Sequence, residues 1–118
     1  GQLTVAQAAG GFWASIPWTT ERKNRGPISK AKMTLLQQLL AAKLNHELFG
    51  SSPAGSISID QAEAAFCGTD ATAIKAAAGA MGAFNQAGDT GAFTPGASAN
   101  PAEVKLHADI QSWDFVKD

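Results

Sequence analysis

The stretch that decides the fold runs from Lys32 to Gly50, KMTLLQQLLAAKLNHELFG. It is the longest uninterrupted run of good helix formers in the chain. At 100° per residue, Met33, Leu36, Leu40, Leu44 and Leu48 fall on one face, while Leu35, Leu39, Ala42 and Phe49 fall on roughly the opposite side. Thr34, Gln38 and Asn45 share the one clean polar strip. A helix apolar over most of its circumference is wrapped by other elements rather than laid on a surface. The stretch therefore reads as a central helix over about 32–49, with Ser29 as its N-cap and Gly50 as its C-cap.

Outward from it, the chain of 118 residues is read as a single helical domain (1–118), with residues 1–10 as an N-terminal arm. The helix start at 3–14 carries a Thr4/Gln7 capping box, and Gly10-Gly11 should end or bend that helix. Ser58 and Gln61 form a second capping box that opens a short helix, Ile59 to Cys67, closed by Gly68. Cys67 at its end reads as a small buried hydrophobe. Thr69 or Asp70 caps the next helix, which runs to about Gln86 with Ile74, Met81 and Phe84 at helical spacing. Its remaining inward positions are read as small ones, Ala76, Gly79, Ala80, Gly82 and Ala83, which would let it approach the central helix closely.

A long Gly/Pro/Ser loop follows at 87–99, and then the best helix start in the chain, with Asn100 as N-cap, Pro101 at N1 and Glu103 at N3. That helix runs to about Trp113. No segment alternates as a strand does. The fold class expected is all-α, a small bundle of four to five helices around the central one, with long Gly/Pro-rich loops.

The chemistry of catalysis is thin. One cysteine excludes an intrachain disulfide and a cysteine-based zinc site. Neither His46 nor His107 has a second histidine at ligand spacing, and the His107–Glu103 pair supports its helix. No phosphate loop, nucleophile elbow or calcium loop is present, so no enzyme, metal or cofactor is expected. No apolar run reaches membrane-spanning length.

Two clusters remain as candidate contact residues. Phe12, Trp13 and Trp18 gather beside Pro17, either as a lid over the core or as a platform for a glycan or small ligand. Arg22, Lys23 and Arg25 sit in the polar loop 19–30; three basic residues there imply no nucleic acid. Charge is divided along the chain. Residues 1–46 carry Arg22, Lys23, Arg25, Lys30, Lys32 and Lys43 against Glu21, a net +5, and the remainder carries a net −6. Opposed halves suit a head-to-tail contact between copies.

Gly11-Phe12-Trp13, Pro17-Trp18 and the helix segment Leu39-Leu40-Ala41-Ala42-Lys43-Leu44-Asn45 resemble a family of secreted and surface-anchored microbial domains. That family opens on Gly-Tyr/Phe-Trp-Lys-Asn-His-Pro and carries a later helix ending in Ala-Lys-Leu-Asn. Phe84 to Asp89, and Ala108-Asp109 to Trp113-Asp114, are similar to its C-terminal half. Where the family has Lys-Asn-His, this chain has Ala14, Ser15 and Ile16, so no role of those polar residues transfers.

The resemblance implies an extracellular or cell-surface domain of a family without an established catalytic activity, with Lys43 and Asn45 structural. The function expected is a structural or assembly module, the repeating subunit of a filament or surface layer whose partner is itself or another surface component. The alternative is a surface binding module built on the aromatic platform.

Overall fold

The computed structural model describes residues 7, 10, 11, 14–19, 21–87, 102 and 113–118. Three helices lie among them: α1 (Pro27–Phe49), α2 (Ile59–Cys67) and α3 (Ala71–Ala87). The fold is all-α. The expected count was four to five; the two other helical segments read from sequence, 3–14 and 100–113, fall largely outside the described residues.

α1 starts one and a half turns earlier than its sequence suggests. Pro27 occupies the first turn, where its missing N–H is no loss and its fixed φ suits the helix. Gly26, in an extended conformation, is the N-cap, and no side chain of its own caps the helix. Ser29 is therefore an interior residue and not the N-cap. Its hydroxyl turns inward, because a serine there is buried against the C-terminal segment. At the other end Gly50 adopts φ 64, the left-handed region glycine enters freely, and its N–H closes on the His46 carbonyl.

The two shorter helices begin where local chemistry dictates. Ser58 Oγ accepts from the Gln61 N–H at 3.1 Å while Gln61 Oε1 accepts from the Ser58 N–H at 2.8 Å, so both halves of the capping box are made. Of the two caps open for α3, Asp70 holds it, its carboxylate accepting from the N–H groups of Thr72 and Ala73. α3 ends at Ala87, one residue beyond the expected Gln86.

α1 is wrapped on two sides over its first four turns. Leu35, Leu39 and Ala42 meet Ala62 of α2 and Ile74, Ala77 and Met81 of α3. On the other side, Met33, Leu36 and Leu40 meet Ala14, Trp113 and Val116. Full burial of one Leu, Ile or Met stabilises by about 1.5–3 kcal/mol, so among the described residues these two layers hold α2, α3 and the 113–116 segment to α1. Phe66 of α2 packs against both. Gly11 enters the second layer so closely that a Cβ there would stand 2.8 Å from Leu40 Cδ1 and 2.9 Å from Trp113 Cζ2. Gly10 and Gly11 are both helical and Ala14 is not, with residues 12 and 13 between them outside the described residues; packing leaves no room for a side chain at Gly11.

Two expectations are corrected. Ala76, Gly79 and Ala83 of α3 are exposed and do not face α1; Ala77 fills the buried position, and of the two glycines of α3 only Gly82 approaches α1, near the Gln38 side chain. Cys67 is exposed, because it closes a nine-residue helix whose one fully buried position is Ala62.

Candidate functional site

The loop ahead of α1 is closed by its own backbone. Thr19 and Lys23 are joined by an N–H to carbonyl bond of 3.0 Å, Arg25 N–H donates to Pro17 O at 2.8 Å, and Trp18 pairs with Asn24 in an isolated antiparallel bridge. Arg22 turns the loop with φ 58, a left-handed conformation uncommon for a side-chain-bearing residue.

This geometry divides the basic trio. Arg22 and Lys23 point to solvent, and Lys23 pairs with Glu21 at 2.9 Å, which raises its ammonium pKa. Arg25 is buried at 6% exposure. Its Nη1 donates to Val116 O at 2.9 Å and to Ser29 Oγ at 3.4 Å, its Nη2 to Trp113 O at 3.2 Å, and its Nε to Ser15 O at 3.3 Å. Asp114 lies 3.9 Å from Nη2. Burial lowers the guanidinium pKa, and the nearby Asp114 carboxylate works against that shift. Arginine remains charged throughout the physiological range, and its planar fork spends itself on internal carbonyls.

The same corner holds the C-terminal segment. Ser29 Oγ donates to Val116 O at 2.7 Å, and the Asp118 carboxylate accepts from the Ser29 N–H. One N–H left open at the first turn of α1 thus finds an anionic acceptor from the far end of the chain. Gly26 leaves the room for it, since a Cβ there would overlap the Asp118 carboxylate. Trp113 is buried at the centre of this corner, and its indole N–H has no hydrogen-bond partner among the described residues.

Asn45, on the polar strip of α1, donates to Asn85 Oδ1 at 3.0 Å. Asn85 Nδ2 in turn donates to Gln38 O and Gln38 Oε1, each at 2.9 Å. The strip therefore bridges to α3. Lys43 pairs with Glu63 of α2. His46 Nδ1 carries its proton toward Ser51 O at 2.8 Å, fastening the turn that leaves α1.

Two apolar areas lie open at the ends of α1. At its C-terminal end no residue from Lys43 to Phe49 is buried, and Leu44, Leu48 and Phe49 are 48%, 66% and 63% exposed. Leu44 and Leu48 continue the face begun by Met33, Leu36 and Leu40, and no core cluster among the described residues includes them. At the N-terminal end Trp18 and Phe115 are 46% and 63% exposed, the latter leaning on buried Trp113 with ring centroids 6.1 Å apart. Of the three aromatics read from sequence as a platform, Trp18 is exposed on the closed loop; Phe12 and Trp13 lie outside the described residues.

Among the described residues no group of His, Cys, Asp and Glu could hold a metal ion, and no helix is long and apolar enough to cross a membrane. Compared with protein-family models, curated proteins and solved structures, the chain matches none.

Proposed function

We propose that the chain is an extracellular or cell-surface structural domain that assembles with copies of itself, head to tail, as the subunit of a filament or layer. The observation that carries this reading is the uncovered end of α1, where Leu44, Leu48 and Phe49 stand in solvent. Single exposed leucines are ordinary, but neighbouring large apolar side chains on one helix end mark an interaction surface. The division of charge along the chain supports association between unlike surfaces. The resemblance of Gly11 to Asn45 to secreted and surface-anchored domains supports the location.

Negative-stain microscopy of the isolated chain tests it: filaments or sheets are expected, and monodisperse particles at every concentration would contradict it. A second reading, a surface module that binds a glycan, is favoured by half-exposed Trp18 on its self-closed loop. Stacking a sugar on that indole would shift tryptophan fluorescence, and Trp18→Ala would abolish the shift.

A further inference from the structure

From the placement of the two open apolar areas we infer which surfaces meet in that assembly: the Leu44–Leu48–Phe49 end of α1 seats on the Trp18–Phe115 end of a second copy. This rests on the reading of the chain as a self-associating domain and adds the interface to it.

The first observation is position. α1 has 23 residues, and at about 1.5 Å per residue its ends stand roughly 34 Å apart. Trp18 and Phe115 are tied to its N-terminal end, through the Trp18–Asn24 bridge and through the Arg25 bonds to Trp113 O and Val116 O. Leu44, Leu48 and Phe49 belong to its last two turns. Neither area can cover the other within one molecule. Two copies in line can.

The second observation is charge. Leaving out the internal Arg25–Asp114 pair, residues 14–30 and 113–118 carry Arg22, Lys23, Lys30 and Lys117 against Glu21 and Asp118, a net +2. Residues 43–63 carry Lys43 against Glu47, Asp60 and Glu63, a net −2. The unpaired carbonyls at the end of α1 add negative character to the second surface. Apolar centres of unlike sign complement each other, whereas a symmetric pairing would set like charge against like.

The chemistry at each surface supports the fit. Leu44 and Leu48, one turn apart, form an aliphatic ridge, and Phe49 is exposed on another side of the same helix end. Trp18 and Phe115 offer flat aromatic faces, and the tight loop and the buried Trp113 hold them in place. A contact of this heterologous kind leaves a free surface at each end of every dimer, so it propagates.

Two double variants separate the surfaces, and glutamine, a good helix former, replaces apolar bulk without adding charge. Leu44→Gln with Leu48→Gln disables one end; Trp18→Gln with Phe115→Gln disables the other. Far-UV circular dichroism establishes that each variant keeps its helical signal. By size-exclusion chromatography with light scattering, the unmodified chain is expected to grow beyond a dimer with concentration, and each variant alone to associate at least tenfold more weakly. An equimolar mixture of the two is expected to stop at a 1:1 dimer, since one intact surface remains on each.

If the unmodified chain grows but both variants grow equally well, this interface is overturned while the assembly reading stands. If each variant is monomeric and their mixture is too, the pairing of these two ends is overturned. If the unmodified chain itself stays monomeric, the assembly reading falls.

Discussion

Arg25 and Val116 stand 91 positions apart in sequence, and the guanidinium of the first donates to the carbonyl oxygen of the second at 2.9 Å. The bond joins the loop that precedes α1 to the segment that ends the chain. It is one of four made by a single buried side chain.

Arg25→Met keeps the apolar stem and removes every donor, leaving buried carbonyls of Val116 and Trp113 without their charged partner. Hydrogen bonds to a charged group contribute roughly 1.5–3 kcal/mol each, so a loss of about 3 kcal/mol is expected from urea unfolding. Arg25→Lys should fall close behind it, because one ammonium cannot reach acceptors that a planar fork reaches together. A loss within about 0.5 kcal/mol, as for an ordinary surface position, would show that the corner does not depend on this residue.

Gly26 and Asp118 are coupled by space. A methyl group at residue 26 would displace the carboxylate that meets the Ser29 N–H. Gly26→Ala alone is expected to cost about 1 kcal/mol, the worth of a helix cap. In a chain already carrying Asp118→Ala it should cost almost nothing, since φ at residue 26 is −68° and suits alanine. Strict additivity of the two substitutions in a double-mutant cycle would contradict the coupling.

The amide ladder sets the contact between α1 and α3. Asn85→Leu removes the donor to Gln38 and the acceptor for Asn45 together. A destabilisation of about 1–3 kcal/mol is expected by thermal unfolding, with Asn45→Ala costing less because Asn45 makes only one bond to the ladder. If the two substitutions cost the same, the ladder is not organised around Asn85.

How much of this was legible in the sequence depends on range. The Ser58/Gln61 box, the Gly50 stop and the Asp70 cap are local, and each stands where local spacing puts it. The two-sided burial of α1 was legible from its helical wheel through Ala42. Beyond it, Leu44 and Leu48 keep the apolar periodicity but lose the cover, since periodicity states which residues share a face and not how far neighbouring elements extend.

Arg25 read as one of three loop cations because its acceptors come from Trp113 and Val116, far along the chain. Ser29 read as an N-cap for a similar reason: Pro27 starts the helix earlier, and the anionic acceptor at that end arrives from Asp118. The aromatic group near residue 13 divides, with Trp18 exposed and its two neighbours outside the described residues.

The proposed contact between ends combines apolar burial with opposed net charge, which sets its response to salt. Going from low salt to about 1 M shortens the screening length to about 3 Å, so association should weaken while the apolar part persists. Light scattering at fixed protein concentration reads this directly. Association unchanged across the series would remove the charge component from the account.

The central claim is that the uncovered end of α1 makes this domain a self-associating one. Sedimentation velocity of the unmodified chain over a concentration series tests it most directly. The account predicts a weight-average sedimentation coefficient that climbs with concentration past the dimer value without reaching a plateau there. A single boundary at the monomer value throughout the series would contradict it.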